Sequence, residues 1–201
     1  MRRHGSRADY IRMTAPVFSG YLCWFIWAWL APAVLAAQQP SLPEAFASRL
    51  AAFDAELSLP TDAAWRPLPP VDAGAFFYTD YGFYSRTAKI EVRFRLELED
   101  TASTTASLPN LRVGPLLAHL ASNEENSIVA GHTLDPRPYG ADWAMDFFFP
   151  PKPIFGHYQN CRMTMLYRQG VGYAYVFAFF DEPTRWLDQW SQLLRFTGTG
   201  G

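Results

Sequence analysis

From Ala88 to Glu99 apolar and charged residues alternate without an exception. Ala88, Ile90, Val92, Phe94, Leu96 and Leu98 interleave with Lys89, Glu91, Arg93, Arg95, Glu97 and Glu99. A period of two sorts into two faces only on a strand. One face must be covered by a core. The other carries six charges, three of each sign, and is expected to meet water or a second charged surface. A strand wet on one side belongs to an antiparallel or mixed sheet with helices on its dry side.

Helical spacing appears in three places. Phe46, Leu50, Phe53 and Leu57 draw one stripe, with Ser41-Leu42-Pro43-Glu44 in capping-box form before it and Pro60 after it. Val113, Leu116, Leu117 and Leu120 draw a second behind Leu108-Pro109-Asn110, with His119 off the stripe and Asn123 to Asn126 closing the helix. Trp186, Leu187, Trp190, Leu193 and Leu194 draw a third, opened by Asp181-Glu182-Pro183 and ended by Gly198. Between the first helix and the charged strand, residues 61–74 read as a Pro-rich linker. Phe76 to Tyr84 reads as one strand turning near Asp80 to Gly82. Ile128 to Ala130 suggests a short strand, His132 to Asp142 a loop, and Trp143 to Phe149 a strand stopped by Pro150-Pro151-Lys152-Pro153. Cys161 to Arg168 and Tyr173 to Phe180, joined by Gln169 to Gly172, form a β-hairpin. Its second strand has no polar face and belongs in the interior of the sheet.

The first residues change the compartment. Arg2, Arg3, Arg7 and Arg12 precede an apolar run from Val17 to Ala37, broken by Pro32 and followed by small residues that offer cleavage after Ala36 or Ala37. This is the layout of a secretory signal peptide; an uncleaved membrane anchor is the alternative. Residues 1–36 are therefore set apart from a single domain over 37–198, with 199–201 a disordered tail. Four of the 17 Lys and Arg residues and one of the 19 Asp and Glu residues lie in the leader, so the remainder carries a net charge of −5. That charge, without a basic run, speaks against a nucleic-acid partner. Only Cys161 remains after cleavage, so no intrachain disulfide is available.

Chemistry is sparse. No Gly-x-Ser-x-Gly elbow, phosphate loop or dinucleotide fingerprint is present, and Cys161 sits in a strand pattern as a buried, inert thiol. Ionisable groups crowd only between His132 and His157, with Asp135, Arg137, Asp142 and Asp146 between them, and their spacings match no metal motif. No catalytic residue, metal or cofactor is implied. Binding has one candidate: Phe147, Phe148, Phe149 and Phe155 surround a rigid Pro cluster and, if exposed, would anchor a partner.

The hairpin and the segment after it carry one resemblance. Tyr173-Ala174-Tyr175-Val176-Phe177-Ala178-Phe179-Phe180, passing into a helix ending in Leu193-Leu194-Arg195-Phe196, resembles the closing unit of the PsbP/Mog1/DcrB-like group. The likeness covers about a fifth of the chain and implies a sheet flanked by helices, usually non-catalytic. It transfers no functional residue. The expected architecture is one α+β domain, an antiparallel or mixed sheet of about four to six strands with about three packing helices. The expected role is non-enzymatic: a periplasmic or secreted protein that binds another envelope or secreted protein, in an assembly or as an inhibitor. It meets the membrane only if the leader stays attached. The alternative is a carrier of a small apolar ligand in a pocket lined by Trp186, Trp190 and Tyr175. A metal-dependent hydrolase using His132, Asp135 and His157 is the least expected reading.

Overall fold

The computed structural model describes residues 41–60, 64–72, 77–100, 102, 108–125, 127–183 and 193–198. The chain divides into units 1–36 and 37–201, and every described residue belongs to the second. In chain order its elements are α1 (Glu44–Ala52), β1 (Ala55–Leu57), β2 (Trp65–Leu68), β3 (Val71–Asp72), β4 (Tyr78–Thr79), β5 (Tyr81–Ser85) and β6 (Ile90–Leu98). There follow α2 (Pro109–Leu120), β7 (Ala130–Thr133), β8 (Trp143–Phe149), β9 (Asn160–Arg168), β10 (Gly172–Phe180) and β11 (Leu194–Phe196).

Seven strands form one antiparallel sheet in the order β2-β5-β6-β10-β9-β8-β7. The strand read from alternation is β6, and the hairpin is β9–β10, turning through Gln169 to Val171. Strand β10 is central and all nine of its residues are buried, as its lack of a polar face requires. Its even-numbered residues join Ile90, Val92, Phe94 and Leu96 in a core capped by Phe46, Leu50 and Phe53 around α1. Its odd-numbered residues join Met163, Met165, Phe147 and Phe149 in a second core, against which α2 lays Leu116, Leu117 and Leu120.

The sheet corrects the expected α+β architecture. It has seven strands rather than four to six, two further two-stranded ribbons (β1-β11 and β3-β4), and two α-helices among the described residues. Each difference has a local cause. Helix α1 stops at Ala52, not Leu57, because Asp54 turns into the left-handed region (φ 45°) and sends Ala55 to Leu57 away as a strand. Pro43 occupies the N-cap position with no side-chain cap bond, so Ser41 closes no capping box. Leu194 to Phe196, read as the end of a helix, pair with Leu57 to Ala55; residues 184–192 of that helix, including Trp186 and Trp190, lie outside the described residues, as do the leader and the 199–201 tail. The linker holds β2, which tolerates Pro67 because a sheet edge leaves its outward side unpaired. Phe76 lies outside the described residues, and the expected single strand after it is two, β4 and β5. The reversal falls at Arg86 to Lys89 instead of Asp80 to Gly82. Strand β7 runs to Thr133, into the expected loop.

Candidate functional site

The charged row of β6 does not face open water. Glu91, Arg93, Arg95 and Glu97 are half-buried, because the β3-β4 ribbon and α2 lie over that side of the sheet. Register sets Glu91 beside Phe179, Arg93 beside Phe177, Arg95 beside Tyr175 and Glu97 beside Tyr173. A row of alternating charge thus runs along a row of aromatic rings stacked 6.2–6.4 Å apart, centroid to centroid.

At the α2 end this surface opens into a groove of about 240 Å³ lined by Arg95, Glu97 and Tyr175 from the sheet and Leu111, Arg112, Pro115, Leu116 and His119 from the helix. Glu97 is shared: Arg95 Nη2 donates to Oε2 at 2.8 Å and Arg112 Nη1 donates to Oε1. The rings fix both cations in place. Arg95 sits 4.2 Å from the Tyr78 centroid and 5.2 Å from that of Tyr175, and Arg112 sits 4.4 Å from that of Tyr173. Burial works against the charge of Arg112, but the charge of Glu97 and the hydrogen bonds to Glu97 and Tyr175 outweigh it and raise its pKa. Burial and the Glu97 charge push the Tyr175 hydroxyl well above its ordinary value, so it keeps its proton. Two cations facing one carboxylate leave the groove positive.

One polar atom there is unsatisfied. Arg95 Nε is buried with no hydrogen-bond acceptor among the described residues. A buried donor left unmet costs about 1–3 kcal/mol. A neighbouring hollow of about 220 Å³, lined by Val71, Phe77, Glu91, Arg93, Ile154, Phe155 and Phe179, differs in this respect. Arg93 donates to Glu91 at 2.6 Å and to the Pro69 carbonyl at 2.7 Å, while Tyr158 donates to Glu91 at 3.0 Å.

Of the four predicted anchor residues, Phe147 and Phe149 are core. Phe148 is half-buried, stacked on His132 with the Arg162 guanidinium 5.3 Å from its centroid. Phe155 is half-buried against Phe77 and Phe179, so the exposed apolar residue of its loop is Ile154. His132, Asp135 and His157 do not converge: Asp135 pairs with Arg137, and among the described residues no group of three His, Cys, Asp or Glu is placed to hold a metal ion. Asp146 is the one fully buried carboxylate of that stretch. It accepts from Arg162 Nε at 3.0 Å and Thr164 Oγ1 at 2.5 Å, with His132 Nε2 3.7 Å away. Cys161 is buried, which raises its thiol pKa well above the ordinary value.

Tyr175 is the expected pocket residue found in the groove, and Arg95 and Glu97, expected on a face that meets water or a second charged surface, line it as well. Arg112 and His119 carried no assignment, yet a signal was present: Arg112, Pro115, Leu116 and His119 follow helical spacing and mark a second stripe on α2.

Comparison with protein-family models, curated proteins and solved structures gives no match. The resemblance of the hairpin unit to the PsbP/Mog1/DcrB-like group is untouched by that outcome. Among the described residues no helix is long and apolar enough to cross a membrane.

Proposed function

We propose that the protein acts after export as a binding protein, and that the groove between α2 and the sheet takes a small molecule with one anionic group and an apolar or ring-bearing body. The observation that carries this reading is the pair of guanidiniums, Arg95 and Arg112, that line one cavity and share the single carboxylate of Glu97. Each guanidinium presents five donors, so a carboxylate or phosphate ester can share them with Glu97. Leu111, Pro115 and Leu116 suit the apolar part. The volume lies just below the ~300–1,000 Å³ of pockets that take drug-sized ligands, so the expected ligand is smaller than those. It departs from the alternative expected from the sequence, a carrier of a small apolar ligand, in asking for an anionic group.

Thermal-shift titration of the purified protein with benzoate, phenyl phosphate and uncharged benzamide tests it. The two anions are expected to raise the melting temperature and benzamide is not. Arg95→Met should abolish the shift, and so should Leu116→Trp, which fills the groove without touching a charge. Equal shifts for all three compounds, or a shift that survives both substitutions, would overturn the reading. Export is tested separately: the intact mass of the protein from the exported fraction should place its N-terminus at Ala37 or Gln38.

A protein partner is the second reading, favoured by exposed leucines. Leu111 at the groove, Leu108 just before α2 and Leu98 at the end of β6 all present apolar surface to solvent.

A further inference from the structure

The two edges of the main sheet are unlike. Strand β2 carries Pro67 and an exposed Arg66, both of which resist strand addition. Strand β7 has neither: all four of its residues are exposed, and Ile128 and Val129, also exposed, precede it. Residues 127–134 contain no Lys, Arg, Asp or Glu.

The hydrogen-bond phase of β7 is fixed by its inner neighbour. Leu134 N donates to the Ala144 carbonyl at 3.0 Å, opposite it in register. Alternation along an antiparallel pair then makes His132–Asp146 and Ala130–Phe148 the other bonded pairs. The peptide groups of Gly131 and Thr133 therefore point away from the sheet, as do those of Val129 when the strand is carried two residues back.

We propose that β7 pairs with β7 of a second copy, antiparallel, about a two-fold axis at Gly131. Only one register through that axis is self-consistent. Gly131 exchanges both hydrogen bonds with its counterpart, and Val129 does so with Thr133 of the second copy. Side chains agree with the backbone: Ile128 meets Leu134, β-branched Val129 meets β-branched Thr133, and small Ala130 meets His132. Because β2 resists addition, growth stops at a closed dimer with a fourteen-stranded sheet. This inference does not rest on the groove.

Two measurements on the full-length chain test it. Thr133→Pro removes an outward N–H and no bond within the sheet, so sedimentation velocity should show loss of the dimer while circular dichroism stays unchanged. In the second, Ala130→Cys with His132→Cys sets two Cys pairs in the closely spaced, non-bonded positions, about 4.5 Å apart at Cα, within disulfide range. Oxidation should give a covalent dimer from the double variant and much less from Ala130→Cys alone. A wild-type monomer, or a dimer that survives Thr133→Pro and fails to crosslink through the Cys pair, would overturn the proposal; the second outcome would place self-association elsewhere. If Thr133→Pro unfolds the protein, the disulfide result decides.

Discussion

Asp80 holds two elements with one carboxylate: Oδ2 accepts from Leu96 N at 2.6 Å and Oδ1 pairs with Arg49 Nε at 3.2 Å, tying α1 to β6. Burial nonetheless dominates and raises its pKa, against the Leu96 amide, Arg49 and Arg95. The sign of the pH effect follows. A folded-state pKa above the unfolded one means that the folded protein binds more protons between the two values. Stability is therefore highest below the ordinary carboxylate range and falls as pH rises through the folded value. Asp80→Asn keeps an acceptor for Leu96 and cannot ionise. Thermal melts of both proteins from about pH 3.5 to 7 should show the gap moving in favour of the variant as pH rises. Parallel curves would mean that the ion pair with Arg49 offsets burial. None of this was legible in the sequence, where Asp80 looked like a turn residue. Its surroundings are made by Arg49 and Leu96, both distant along the chain.

Among the elements, α2 is the least secure and forms the movable side of the groove. Leu108 gives it no side-chain cap bond, and Pro115 lies in its interior. Pro115 has no N–H to offer the Leu111 carbonyl and crowds it. Gly114 before it avoids the clash that a Cβ would make with the proline ring. What holds the helix is packing by Leu120 and half-buried Val113, Leu116 and Leu117, together with Lys152, which donates its backbone N–H to Leu120 O at 2.9 Å and Nζ to Ala118 O at 2.7 Å. Pro115→Ala should restore the missing bond and raise stability by about 1–3 kcal/mol in urea unfolding, with slower hydrogen exchange across 109–120. Unchanged exchange would show that the helix already moves as one with the sheet. Elements such as α2, β6 and β8 were legible because each sorts its own residues by a single period, and β10 because its unbroken apolar run follows a hairpin turn. Strands β1 and β11 were not: Ala55 finds its partner in Phe196, and three residues carry no period. The groove was hidden for the same reason. Alternation showed that Arg95 and Glu97 share a face, but what covers that face comes from α2 and β4.

At the scale of the molecule, one sheet serves two cores, and β10 is the element they share. Val176 and Ala178 point into the α1 side, while Phe177 and Phe179 point into the α2 side. Both faces of β10 are buried between β6 and β9, so its backbone cannot leave one core and keep the other. The two halves should then unfold together despite having separate covers. Phe177→Ala tests this. The ring is fully buried, 5.3 Å from Phe77 and in line with Tyr175 and Phe179, all in the α2-side core. Truncation should cost about 3–5 kcal/mol. If the cores are coupled, that loss appears equally at both. In urea, hydrogen exchange of peptides from β5, which packs on the α1 side, and from β8, beyond β9, should shift to the same new midpoint. A loss confined to β8 and α2, with β5 unmoved, would instead show that β10 lets the faces melt separately, and the groove could then open without disturbing the other core.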